Sequence, residues 1–95
     1  MERVRGQTKE RMVFVICQLR YDVEHEAVVF KGTQMKDGDE MEVLIPDPGS
    51  GELAWTPARI IWETKQGQRW RLISDNAEID AILETCDPVG LFAKR

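Results

Sequence analysis

The sequence predicts a mainly β domain, either a small five-stranded antiparallel barrel or a strongly curled sheet, ending in one short C-terminal helix. Three observations carry that expectation. Residues 54–73 hold all three tryptophans and alternate side-chain types with a period of two on both sides of a glycine turn. Ahead of them lie three short runs rich in apolar and β-branched residues, separated by Asp, Gly and Pro. After Ile73 the apolar spacing changes from two to 3.6. Five strands with short connections suit a sheet that curls, with the helix over one open end; an open sheet with the helix on one face is the alternative.

The central hairpin fixes its own register. Ala58, Ile60 and Trp62 alternate with Arg59, Ile61 and Glu63, and Trp70 and Leu72 alternate with Arg69, Arg71 and Ile73. A two-residue loop at Gln66-Gly67 would set Trp62 opposite Arg71 and mix the faces, because a slip of one residue moves every side chain to the other side. A three-residue loop with Gly67 left-handed instead sets Trp62 opposite Trp70, Ile60 opposite Leu72 and Glu63 opposite Arg69. Aromatic and opposite-charge pairs of this kind contribute roughly 0.2–1 kcal/mol each, enough in sum to select this register.

The remaining elements follow in chain order. Residues 1–10 are polar and mixed in charge and are expected to be a flexible segment, leaving 11–95 as one small β-rich domain. Residues 12–19 are apolar on both faces, as a strand with neighbours above and below requires. They are expected to pair as a hairpin with Ala27-Val28-Val29-Phe30 across the polar connection 21–26. Lys36-Asp37-Gly38-Asp39 is a turn. In the strand after it, Met41, Val43 and Ile45 share one face and Glu40, Glu42 and Leu44 the other. Residues 46–51 form a breaker loop, and Pro57 marks the segment before it as a sheet edge or bulge. Ser74 or Asp75 caps a helix with Ile79, Ile82, Leu83 and Cys86 inward and Glu78, Asp80 and Glu84 in water. Asp87-Pro88 ends it, residues 89–92 are an apolar stub against a sheet edge, and Lys94-Arg95 is solvated.

Composition bounds the function. A chain of 95 residues has room for one core, and the tryptophans are expected mostly inside it. Thirteen Lys and Arg against 17 Asp and Glu, a net charge of −4, argue against general affinity for duplex nucleic acid or anionic membrane, while a local basic patch leaves an anionic small molecule open as a ligand. No apolar run approaches the ~18 residues a membrane span needs. Two cysteines without a signal peptide point to a reducing compartment, the cytoplasm.

Chemistry-bearing motifs are sparse. His25 stands among Asp22, Glu24 and Glu26, but these carboxylates are its sequence neighbours and no second nitrogen or sulfur ligand is spaced to join them, so a solvated turn explains them better than a metal site or an acid–base pair. Cys17 lies in an apolar run, which suits packing rather than nucleophilic attack. No Gly-x-Ser-x-Gly, P-loop or dinucleotide fingerprint occurs, and residues 47–51 have glycines but no following helix. The expectation is therefore a non-enzymatic module with no cofactor and no metal. Its best candidate surface is the outer face of the hairpin, where Arg59, Arg69 and Arg71 gather with Ile61 and with Trp55 at the rim, since guanidinium beside apolar groups is a common make-up for a binding patch.

The segment 35–73 also resembles the second half of a PilZ-type β-barrel. The likeness lies in Asp37-Gly38-Asp39-Glu40-Met41-Glu42-Val43, in Pro57-Ala58-Arg59-Ile60-Ile61-Trp62, and in Gly67-Gln68-Arg69-Trp70-Arg71-Leu72. That family grips cyclic dinucleotides through Arg-x-x-x-Arg and Asp/Asn-x-Ser-x-x-Gly, and neither motif is present: Arg5 and Lys9 have the offset with the wrong second residue. The resemblance implies the barrel shape and not the ligand. The leading expectation is a protein partner or a homo-oligomer docking on the hairpin face. A degenerate PilZ-like anion or nucleotide binder using Arg59, Arg69, Arg71 and Arg5 or Arg11 is the alternative, and a small enzyme built on His25 with Asp22 or Glu24 comes last.

Overall fold

In the computed structural model, which describes residues 14–65 and 67–95, the chain forms eight strands and one helix. They are β1 (Ile16–Gln18), β2 (Arg20–Asp22), β3 (Ala27–Phe30), β4 (Thr33–Gln34), β5 (Glu40–Pro46), β6 (Leu53–Glu63), β7 (Arg69–Ile73), α1 (Ala77–Glu84) and β8 (Phe92–Lys94). Two antiparallel sheets result, one of five strands in the order β1-β8-β5-β6-β7 and one of three in the order β2-β3-β4. The mainly β class with one short helix holds. The closed barrel does not, because β1 and β7 lie at opposite ends of the five-stranded order and do not pair. The segment 1–10 and the residues 11–13 expected at the start of the first strand lie outside the described residues.

The hairpin adopts the predicted register, with Trp62 opposite Trp70, Ile60 opposite Leu72 and Glu63 opposite Arg69, and with Gly67 left-handed at φ 88°. Its hydrogen-bond parity explains why the indoles meet. The Ile60 N–H donates to Asp39 O at 3.0 Å, so Ile60 and every second residue of β6 direct their backbone groups toward β5. Trp62 and Trp70 are therefore a non-hydrogen-bonded pair, the class whose side chains stand closest, and their rings pack edge to face at 5.2 Å and 63°. The same parity turns the missing N–H of Pro57 toward the β7 side of β6, past Arg59 where the β6–β7 pairing ends, so no ladder bond is lost there. Asp37 prolongs the β5–β6 ladder past the turn at Gly38 (φ 97°), its carboxylate accepting the Trp62 N–H at 2.7 Å.

The first apolar run divides. Leu19 continues the β1–β8 ladder through Leu19 N–H to Leu91 O at 2.8 Å, and the chain then crosses into the second sheet at Arg20. The hairpin expected between 12–19 and 27–30 is thus β2 with β3, while β1 pairs with β8. The stub at 89–92 is corrected too. It leads into β8, which lies between β1 and β5 rather than at an edge, with Ala93 fully buried and Lys94 partly buried, not solvated.

The core lies between the inner face of the large sheet, the small sheet and α1. It contains Leu19, Val28, Phe30, Met35, Met41, Val43, Ile45, Ile60, Leu72 and Leu83, with Cys17, Ile79 and Ile82 packed against it. The largest fully buried side chains are aliphatic. The tryptophans are not mostly inside: Trp62 is 37 % exposed and Trp55 and Trp70 are half-buried. Position accounts for this, since Trp62 and Trp70 stand at the hairpin end and Trp55 lies on the outer face. The helix is capped by Asn76 rather than Ser74 or Asp75, its Oδ1 accepting from the N–H groups of Glu78 and Ile79 at 3.0 and 3.2 Å. Among the described residues no helix is long and apolar enough to cross a membrane.

The indole pair should be energetically coupled. A double-mutant cycle of Trp62→Leu and Trp70→Leu, read by urea unfolding, is expected to give an interaction free energy of about 0.5–1.5 kcal/mol beyond the single effects.

Candidate functional site

The outward side chains on the second face of the five-stranded sheet run from exposed at β1, β8 and the start of β6 to nearly buried at Glu63 and Arg71, where α1 comes close. Strand alternation decides what stands there. From β1 come Phe14 and Ile16, from β8 Phe92 and Lys94, from β5 Glu40, Glu42 and Leu44, from β6 Leu53, Trp55, Pro57, Arg59, Ile61 and Glu63, and from β7 Arg69, Arg71 and Ile73. All five residues expected at the binding surface, Trp55, Arg59, Ile61, Arg69 and Arg71, lie on this face. Sequence reasoning missed its other half. Phe14, Ile16, Leu53 and Phe92 are 49, 57, 63 and 48 % exposed, which is unusual for a sheet face left to water.

Lys94 stands in the middle of this surface. Its Nζ is 5.0 Å from the Phe14 ring centre and 4.9 Å from that of Trp55, and it approaches Glu42 Oε1 at 3.4 Å. Beside it a hollow of about 620 Å³ is lined by Phe14, Glu42, Pro57, Arg59, Ile73 and Lys94, among others.

The three arginines share a face but not a role. Arg59 reaches the exposed Asp75 at 3.3 Å. Arg69 Nε donates to Glu63 Oε1 at 2.9 Å, realising the predicted cross-strand pair. Arg71 is only 12 % exposed in its side chain, and its Nη2 donates to Asp80 Oδ2 at 3.0 Å and to Asp80 O at 3.2 Å. Its Nη1 is 3.9 Å from Glu63, and its buried Nε has no hydrogen-bond partner among the described residues. Arg71 therefore clasps β7 to α1 and is no longer a free docking cation.

Asp80 is the other half of that clasp, not a water-facing helix residue. Burial alone raises its carboxyl pKa, but the Ser74 N–H at 3.1 Å and the Arg71 guanidinium outweigh burial and hold it below the ordinary aspartate value.

The turn that carries His25 is locally satisfied. Asp22 Oδ1 accepts the Glu24 N–H at 3.0 Å, and Asp22 Oδ2 meets His25 Nδ1 at 2.7 Å. The hydrogen bond from His25 holds the Asp22 carboxyl below its ordinary pKa. Asp22, Glu24 and His25 can each bring one ligand atom within 4.8 Å of the others, and all three belong to this exposed turn. No group from another element joins them among the described residues, so the arrangement is a stapled turn rather than a catalytic constellation. Cys17 and Cys86 are free thiols.

The clasp makes stability pH-dependent. A carboxyl whose folded pKa is depressed contributes stability that is present above its unfolded pKa and is lost as pH falls through the folded one. Melting temperature should therefore drop as pH is lowered from about 5, and Asp80→Asn should flatten that limb. Asp80→Ala, which removes the carboxylate that Arg71 and the Ser74 N–H share, is expected to cost about 1–3 kcal/mol in denaturant unfolding. Comparison of the chain with known protein families, with curated proteins and with solved structures finds no match in any of the three, so its function is argued from this geometry alone.

Proposed function

We propose that the protein is a non-enzymatic interaction module that pairs with a second copy of itself through the outer face of the five-stranded sheet. The observation that carries this reading is the group of exposed or half-buried apolar side chains, Phe14, Ile16, Leu53, Trp55 and Phe92, that one face of the large sheet presents.

Size and charge favour a second copy. Strands about 4.8 Å apart and rising about 3.3 Å per residue give five strands and a seven-residue β5–β6 ladder an outline of roughly 24 by 23 Å. That outline, an upper bound because β1 and β8 have three residues each, lies near the lower end, about 600 Å² per partner, of what specific complexes bury. Its charges nearly cancel, with Arg59, Arg69, Arg71 and Lys94 against Glu40, Glu42 and Glu63. A chain with a net charge of −4 would repel its copy over most of its surface, but not here. Two sheets meeting face to face about 10 Å apart would interdigitate their side chains as in a sandwich.

Of the arginines that a PilZ-like anion site would use, Arg59, Arg69 and Arg71 each already face a carboxylate, which favours the apolar interface, while Arg5 and Arg11 lie outside the described residues. The reading places the protein in the cytoplasm, in keeping with its two free thiols.

Size exclusion with light scattering tests the proposal. At about 100 μM, where an association of only about −5.5 kcal/mol is half-populated, the protein is expected to run as a dimer. The variant Ile16→Asp/Phe92→Asp should run as a monomer with an unchanged circular dichroism spectrum, and raising the salt concentration should not dissociate the wild type. A wild-type monomer at that concentration overturns the reading.

A further inference from the structure

A second concavity lies at the hairpin end, on the side of the indoles and apart from the hollow beside Lys94, with Arg69 at its rim. Three segments distant in sequence build it: Tyr21 of β2, the indoles of Trp62 and Trp70, and Asp87 after α1, with the fully buried Val28 also lining it. The cleft holds about 420 Å³. The two indoles stand 63° apart and form a corner rather than a slot for a flat ring. Trp70 is fixed there by its Nε1–H, which donates to Glu26 O at 3.0 Å. Trp62 and Tyr21 remain 37 and 45 % exposed. Large aromatic rings at such exposure beside a carboxylate are groups held ready for contact, not groups used up in the core.

We propose that this cleft binds a methylated ammonium group. Aromatic faces attract a cation through the negative face of the ring, and Asp87 adds a full negative charge at the rim of a chain that is already acidic. The one cation among the lining residues, Arg69, is countered by Glu63 at 2.9 Å. Methylation is what the lining selects. A bare ammonium brings three N–H donors that must each find an acceptor on leaving water, whereas the cleft walls are mostly rings and aliphatic carbon. A quaternary nitrogen has no N–H to leave unsatisfied, and its methyl groups pack against the indoles and Tyr21. Such a head group comes from a free choline-like molecule or from a trimethylated lysine in a polypeptide, and the cleft recognises the chemistry they share.

The test is a titration of ¹⁵N-labelled protein, following the indole N–H resonances of Trp62 and Trp70. The probes are choline, its neutral carbon isostere 3,3-dimethylbutanol, a trimethyllysine peptide and the same peptide with unmodified lysine. Choline or the trimethyllysine peptide is expected to move both resonances, and the isostere and the unmodified peptide are not. Whichever methylated probe binds tighter identifies the source. Tyr21→Leu should weaken binding roughly tenfold, and Asp87→Asn, which keeps an acceptor for the Val89 N–H that Asp87 Oδ1 holds at 3.0 Å, roughly threefold. Equal shifts from choline and its isostere, or no shift from either methylated probe, overturn the proposal. Neither variant touches the outer face of the large sheet, so this result is independent of the oligomeric state.

Discussion

The pairing of β6 with β7 is the constraint on which the rest of the molecule depends. Because Glu63 faces Arg69 and Trp62 faces Trp70, Ala58, Ile60 and Leu72 point into the core while Arg59, Ile61, Arg69, Arg71 and Ile73 point out. A one-residue shift would reverse both sets. Every later decision inherits this assignment: where α1 can pack, which carboxylates reach the arginines, and which side chains the large sheet turns outward. The indole contact and the Glu63–Arg69 ion pair both fall on this register, so packing and charge select the same alignment.

What was legible in the sequence is what short-range pattern dictates. The hairpin register, the inward Met41, Val43 and Ile45, the turn at Gly38 and the helix from its 3.6 spacing all follow from neighbours within a few residues. What was illegible depends on partners far away. Residues 12–19 read as one strand because nothing local marks the crossing at Leu19, where the buried side chain serves both sheets. Phe92-Ala93-Lys94 is too short to show a period, and only the Val43–Ala93 pairing reveals it as an interior strand. Ser74, Asp75 and Asn76 are all fit caps, and the choice rests on which carboxamide or hydroxyl meets two free N–H groups.

The candidate surface divides the same way. Alternation placed the three arginines on one side, yet two of their ion-pair partners, Asp75 and Asp80, come from the segment that begins α1 and lie far along the chain from Arg59 and nine residues from Arg71, respectively. Arg71 consequently holds the helix in place, and the exposed character of the face passes to Phe14, Ile16, Leu53 and Phe92. The aromatic cleft could not be read from sequence at all, because Tyr21, Trp62, Trp70 and Asp87 belong to separate elements with no shared spacing. Its tryptophans were visible, but their exposure follows from their place near the hairpin end.

The interior place of β8 bears on the order in which the chain can assemble. The β5–β6–β7 meander is built from contacts near in sequence and can form early, whereas β1 must find a strand more than seventy positions away, as the Gln18 to Gly90 hydrogen bond shows. Until β8 docks through the Val43–Ala93 pairing, β5 has an unpaired edge and the inner face of the sheet lacks Ala93 to complete it. Docking of β8 is therefore the slow, late event that joins the two ends of the domain, and an open β5 edge is where another unfinished chain would most readily pair in its place.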